Sequence, residues 1–160
     1  MGYFDRISRE LDDFFRHFPR RAGALAVEHF DDSFKNRGFT DKSLEKWKPV
    51  IDRKTGKAKQ RPLVQTGRLR RSVHAREDST GVNVIADAPY AKVHNEGERV
   101  SATQRVRTHI RKRKKGKAVV VKAHSRNVNF HMPKRQLIGQ SNELDRKTEE
   151  MIIRELDIIL

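Results

Sequence analysis

The sequence contains no cysteine, which excludes disulfide bonds, thiolate catalysis and cysteine-ligated zinc sites. It also lacks any apolar run near the roughly 20 residues that cross a bilayer, and its N-terminal segment MGYFDRISRE has no apolar signal core. Hydrophobic residues are only 35% of the chain and aromatic residues 7%. These absences predict a protein made and used in the cytoplasm, or in a particle assembled there, with no membrane contact. Its modest core would gain from association with copies or partners.

Positive charge is what the sequence has in excess, with 36 Lys and Arg against 21 Asp and Glu, a net charge of +15. This balance indicates a polyanionic neighbour, most simply nucleic acid, without indicating base-specific reading. The alternative is a basic protein kept soluble by self-repulsion. Eight of the thirteen residues from 105 to 117 are basic, and a run like this cannot lie unpaired in a core. We therefore expect these residues to contact DNA or an acidic partner: Arg105, Arg107, Arg111, Lys112, Arg113, Lys114, Lys115 and Lys117.

Apolar residues recur at helical spacing at both ends of the chain. At the N-terminus this spacing predicts two helices. The first covers about 4–17, and the second begins near Pro19, which suits a first helical turn, and stops near Gly38. At the other end, Ser141 or Asn142 would cap a C-terminal helix.

Alternating apolar and polar residues predict two β-hairpins between these helices. The first begins near Leu69, turns at 77–81 and ends before Pro89. The second, at 101–127, carries the basic run and a lysine-glycine tip, and a further short strand follows at 128–132.

Two smaller features accompany the hairpins. The pattern V-[R/K]-x-H-x-R starts at Val106 and again at Val121, so one copy should lie on each strand of the second hairpin. The lysine-rich stretch 39–62 shows no periodicity and is punctuated by proline and glycine, which predicts a loop. Trp47 is its large apolar residue and should anchor it to the core.

No group of residues makes a convincing catalytic site. His94-Asn95-Glu96 is similar to fragments of metal-dependent nucleases, but a nuclease needs several converging metal ligands, and no second acidic cluster is evident. His109 and His124 could face each other across the second hairpin, yet a structural zinc site usually needs four ligands. The sequence also lacks a phosphate-binding loop motif and a nucleophile elbow. We predict no enzyme activity, no catalytic or metal-binding residue and no cofactor.

Three short motifs occur in one order along the chain. They are L-x-x-T-G-x-L-x-x-S from Leu63, Y-A-x-x-H-x-x-G from Tyr90 and P-x-R-x-x-x-G from Pro133. Together they resemble the virion morphogenesis proteins of Mu-like and P2-like tailed phages, which are tail-completion or neck proteins. The resemblance covers about 63–160, and the lysine-rich loop and the basic hairpin depart from the family pattern.

The resemblance implies a single α+β domain over 1–160, in which a short antiparallel sheet packs against helices and the basic hairpin protrudes. It also implies a structural virion protein that completes the tail or joins it to the head as a ring around the DNA channel. Its partners would be copies of itself, other neck and tail proteins, and DNA held non-specifically. The alternative is a basic nucleic-acid-binding regulator or processing factor.

The motif residues would then maintain the fold rather than carry chemistry. His94 would hydrogen-bond locally to fix the following turn, Gly97 would supply an unusual backbone angle, and the Tyr90 hydroxyl would need a partner. The full set is Thr66, Gly67, Leu69, Ser72, Tyr90, Ala91, His94, Gly97, Pro133, Arg135 and Gly139.

Overall fold

A computed structural model describes the chain in five stretches, namely 2–52, 55–58, 63–79, 81–112 and 116–160. The predicted α+β class is confirmed, because long helices at both ends of the chain accompany small antiparallel sheets. Arg113, Lys114 and Lys115 of the predicted basic arm lie outside the described residues.

Helix α1, Tyr3–Asn36, is continuous, so the prediction of two N-terminal helices is wrong. Pro19 lies inside it, although an interior proline costs about 3 kcal/mol by removing one backbone hydrogen bond and crowding the preceding turn. The helix tolerates this because one apolar stripe runs through both halves, burying Phe14 before the proline and Phe30 after it. The helix ends at Arg37, whose left-handed backbone (φ 56°) caps it.

Helix α4, Asn142–Ile159, begins at the predicted cap. The Ser141 hydroxyl accepts a hydrogen bond from the Leu144 amide at 3.2 Å, which satisfies one of the free N–H groups of the first turn. Helix α4 packs against α1, and the Arg21–Glu155 ion pair links the two helices. Among the described residues, no helix has an apolar stretch long enough to span a bilayer.

The stretch predicted as a loop at 39–62 instead begins as a small sheet, so that prediction is wrong in its first part. Strands β1, Gly38–Thr40, and β2, Leu44–Lys46, pair antiparallel there. Three-residue strands are too short to show an alternating pattern. Trp47 follows them and is buried, and its indole N–H donates to the Gln136 carbonyl oxygen at 2.9 Å, so the predicted anchor is confirmed.

The first predicted hairpin is confirmed in its body and corrected at its start. Strands β3, Val73–Asp78, and β4, Gly81–Ala86, pair in register and pack on α1. A one-turn helix, α2, covers Arg68–Arg71, where the first strand was predicted to begin. Gly67 explains the difference, because its left-handed backbone (φ 70°) turns the chain at the start of α2. Leu69 within α2 is buried.

The core lies where α1, the β3–β4 hairpin and a short helix, α3 (Ala91–Glu96), meet the segment that leads into α4. Leu137 in that segment is the most deeply buried large residue among those described. The buried apolar cluster consists of Ala26, Phe30, Phe34, Phe39, Trp47, Leu69, Val73, Ala88, Ala91 and Leu137.

Candidate assembly and DNA-contacting arm

Residues 99–112 and 116–131 form one long two-stranded antiparallel ribbon, and we call the segment 99–131 the arm. Strands β5, Arg99–Val106, and β8, His124–His131, form its base, while β6, His109–Arg111, and β7, Val119–Val121, form its outer part. The two parts keep one register, because two residues separate them on each strand. The predicted second hairpin is therefore confirmed but longer, and the short strand predicted after it is the end of β8.

The arm stands away from the rest of the protein. Among the described residues, each of its strands contacts mainly its own partner strand, whereas β3 and β4 pack on α1. A two-stranded ribbon alone in water is marginally stable at best. The arm therefore has surface that a partner can cover.

The repeated pattern V-[R/K]-x-H-x-R occupies both strands, as predicted. Val106 of the first copy lies opposite His124 of the second, and His109 of the first lies opposite Val121 of the second. The two histidines therefore do not face each other, because each lies opposite a valine. In both copies the histidine Nδ1 lies 2.9–3.0 Å from the backbone carbonyl oxygen two residues earlier, so the copies share one local geometry.

The arm has two faces that differ in chemistry. Side chains alternate between the faces along each strand, and residues paired across the strands lie on the same face. The polar face carries Arg99, Ser101, Thr103, Arg105, His109, Arg111, Ser125, Asn127, Asn129 and His131, together with Val119 and Val121 at its outer end. The apolar face carries Val100, Ala102, Val106, Ile110, Val120, Val128 and Phe130, interrupted near its middle by Gln104, His124 and Arg126. No described residue covers the apolar face at its outer end, where Ile110 and Val120 are 69% and 62% exposed.

The arm contains eleven Lys and Arg residues and no Asp or Glu. All of its predicted contact residues that the structure describes are exposed, and in the described part of the chain none of them forms an ion pair with a carboxylate: Arg105, Arg107, Arg111, Lys112 and Lys117. Like charges this dense repel one another, so an anionic partner would stabilise the arm.

The second and third sequence motifs meet at the root of the arm. Gly97 has a left-handed backbone (φ 74°), as predicted, and leads from α3 toward β5. The Met132 amide donates to the Glu98 carbonyl oxygen at 2.9 Å, which closes the ribbon. The Asn95 side-chain oxygen accepts hydrogen bonds from the amides of Leu137 at 2.7 Å and Ile138 at 3.1 Å. This role of Asn95 was not predicted, because Asn95 stands at an unspecified position of the motif Y-A-x-x-H-x-x-G.

Arg135 of the third motif is buried and has no carboxylate partner among the described residues, which include every Asp and Glu of the chain. Its Nε donates to the Lys48 carbonyl oxygen at 3.1 Å, and its backbone amide donates to the His94 carbonyl oxygen at 2.7 Å. Burial lowers the pKa of the Arg135 guanidinium. Arg135 thus joins three segments of chain at the arm root.

His94 does not make the local hydrogen bond predicted for it at Nδ1, which is buried and has no partner within the described residues. Its ring instead packs edge-on against Tyr90. Burial lowers the pKa of His94, and the charge of Arg135 lowers it further. Across the described ranges, no three His, Asp or Glu side chains cluster to hold a metal ion, and Asn95 is committed to the backbone of the next segment.

The profile of the phage virion morphogenesis family matches residues 38–157, well over half of the chain. The chain belongs to the phage virion morphogenesis family. The predicted resemblance is therefore confirmed, and the protein has a role in phage assembly, associated with the virion. No curated protein and no solved structure matches it.

The remaining motif residues of this virion morphogenesis protein lie in turns around the core. At the first motif, the Thr66 hydroxyl accepts from the Arg68 amide at 3.4 Å, and the Ser72 hydroxyl donates to the Leu69 carbonyl oxygen at 2.8 Å. These contacts hold α2 between the loop and β3. The other residues lie near the arm root: Tyr90 and Ala91 at the start of α3, and Pro133 and Gly139 between β8 and α4.

His29, which is buried, joins α1 to the start of α4, and nothing in its sequence context predicted this. The Ser141 hydroxyl donates to the Thr40 carbonyl oxygen at 2.8 Å, and its Oγ lies 3.0 Å from His29 Nε2. Burial lowers the pKa of His29, and the charge of Lys147 lowers it further.

These two histidines predict that the virion morphogenesis protein loses stability in mild acid. The folded state keeps His29 and His94 neutral at a pH where the unfolded chain protonates them. Stability is thus full above about 6.5, the ordinary histidine pKa, and declines as the pH falls below it. Urea denaturation at a series of pH values should show this decline, and the double variant His29→Gln with His94→Gln should flatten it. An equally steep slope in the double variant would contradict the assignment.

Proposed function

We propose that copies of this protein form a ring around the DNA channel of a tailed phage, where the ring completes the tail or joins it to the head. Family membership favours a structural role over an enzymatic one. The observation that carries the proposal is the arm, a projecting ribbon with eleven basic residues and no acidic one. A ring that presents such arms inward would be matched to the phosphates of DNA in the channel.

The polar face of the arm has the chemistry that DNA passage requires. Arg99, Arg105 and Arg111 share this face with serine, threonine and asparagine, all of which can bind phosphate oxygens, and phosphate contacts carry no sequence information. The face carries no phenylalanine, tyrosine or tryptophan, so base stacking is not built into it. A channel must accept every sequence of the genome, and contact by charge alone meets this need.

Electron microscopy of lysates tests the proposed function directly. Deleting the gene from its phage or prophage should give separate heads and tails, and the intact gene supplied in trans should restore joined particles. The protein should also be found in purified particles, with density at the junction of head and tail. Normal joined particles from the deletion mutant would contradict the proposal.

Neutralising the polar face should weaken DNA binding in a way that its salt dependence reveals. Replacing Arg105, Arg107 and Arg111 with glutamine removes up to three phosphate contacts, and each contributes about 0.9 to the slope of log affinity against log salt. We expect the slope, measured by fluorescence anisotropy with duplexes of unrelated sequence, to fall by about 2–3. The control replaces three exposed arginines outside the arm with glutamine: Arg16, Arg20 and Arg154.

An equal change of slope in both variants would show that DNA contact is not located on the arm. Tight binding of one particular oligonucleotide by a monomer or dimer would instead support the alternative of a nucleic-acid-binding regulator.

A further inference from the structure

The outer part of the arm has an apolar centre flanked by cations. Ile110 and Val120 lie directly opposite each other on the apolar face, and both are mostly exposed. Each is followed two residues later by a lysine, Lys112 and Lys122 respectively. Residues two apart on an extended strand lie on one face, so both lysines border this apolar pair. We call these four residues the tip patch.

The outer surface of α4 has the complementary arrangement. Ile153 is 58% exposed, and of the four residues one helical turn from it, three are acidic, Glu149, Glu150 and Asp157, while the fourth is Leu156. Glu150 pairs with Arg146, whereas within the described residues Glu149 and Asp157 form no ion pair. The segment 142–160 has six acidic residues and three basic ones, in a chain that is otherwise strongly basic. We call these four residues, Ile153 and its acidic neighbours, the helix patch.

We propose that the tip patch of one copy docks on the helix patch of a second copy. Ile110 and Val120 would cover Ile153, while Lys112 and Lys122 would approach Glu149 and Asp157. This inference deepens the proposed ring and rests on it, since it names the surfaces that join neighbouring copies.

Charge selects the second copy as the occupant. A net charge of +15 opposes random association of copies, so a stable contact must bring opposite charges together. The arm lacks any acidic residue, and α4 offers the exposed carboxylates of Glu149 and Asp157, which form no ion pair with any described residue. Contact between the two apolar centres would contribute affinity, and opposite charges around them would fix the register of the two surfaces.

The geometry of such a contact leads to a closed assembly. The tip patch and the helix patch are different surfaces, so each copy donates one arm and receives another. A head-to-tail contact of this kind forms a ring if its rotation closes. The polar face of the arm, on the opposite side of the ribbon, stays free for DNA.

Thiol cross-linking tests the contact, because the chain has no cysteine of its own. One protein carries Val120→Cys and another carries Ile153→Cys, and a short bismaleimide is added to each alone and to their mixture. We expect a cross-linked dimer from the mixture, no dimer from either protein alone, and a ladder of multimers when both substitutions are in one chain. Asp12→Cys, at an exposed site of α1, replaces Ile153→Cys in the control mixture and should give no dimer.

Charge reversal gives a second test of the same contact. Lys112→Glu with Lys122→Glu should weaken self-association about tenfold or more, and Glu149→Lys with Asp157→Lys should do the same. Combining all four substitutions in one chain should restore it. An equimolar mixture of the two variants should also recover association, because each reversed surface then meets the oppositely reversed surface of the other variant. Light scattering measures these masses, and Arg99→Glu with Arg105→Glu is the matched control on the polar face.

The outcomes separate this inference from the proposed function. Dimers from Val120→Cys alone would show an arm-to-arm contact and overturn the proposal. The absence of any cross-link also overturns it, and so does a Val120 cross-link that a DNA duplex abolishes, because the tip would then bind DNA. If the cross-links form but the protein is missing from phage particles, only the proposed function fails. If particles contain the protein and no cross-link forms, only this contact fails.

Discussion

We expect Gly97→Ala, at the arm root, to lower the free energy of unfolding by several kcal/mol, about 2–6 in total. A methyl group at this position would lie 2.5 Å from the backbone nitrogen of Lys134, which cannot move without the segment that carries it. The left-handed backbone adds about 1–3 kcal/mol of strain, and the overpacking adds about 1–3 kcal/mol. Urea denaturation followed by the fluorescence of Trp47, the single tryptophan, measures the loss.

A matched glycine separates these two costs. Gly56 has nearly the same backbone angle, φ 68°, but a methyl group there would meet nothing within 4 Å. Gly56→Ala should therefore show the strain without the clash and lose clearly less stability. If both variants lose the same amount, close approach of the chains at Gly97 is not what requires glycine.

Leu137→Ala should cost about 2–5 kcal/mol, the range for removing a fully buried leucine from a core. Leu137 has no exposed surface, and its amide is fixed by Asn95, so the surroundings cannot easily move to fill the cavity. The same denaturation measurement applies. Leu160→Ala, at a residue that is 73% exposed, is the control and should change stability by less than about 0.5 kcal/mol. A loss below about 1 kcal/mol at Leu137 would show that the core is less tightly packed than described.

The sequence predicted an element correctly where a long periodic pattern reflects a single local geometry. The capped helix α4, the β3–β4 hairpin and the arm all show long patterns that local geometry dictates. Pro19 was misleading, because a local rule for proline was outweighed by an apolar stripe that packs along the whole of α1. The β1–β2 pair was missed because three-residue strands carry no usable period.

The arm could be predicted as basic and projecting, but its two faces could not be assigned without a register. A shift of one residue would exchange the faces, and the register is known only once Arg99 is seen opposite His131. The same holds for the arm root. Asn95 acts on amides more than 40 positions away along the chain, and such contacts leave no local signal.

The arm root has a mechanical consequence. Strand β8 leads directly into the segment before α4, with no helix or strand between them. In that segment the Asn95 side chain accepts from the Leu137 amide, and the Trp47 indole N–H donates to the Gln136 carbonyl oxygen. Tension applied at the far end of the ribbon is therefore transmitted to the core through these hydrogen bonds, because no flexible linker separates the arm from the core. We therefore expect a load on the ribbon to act on the hydrogen bonds that hold Gln136, Leu137 and Ile138.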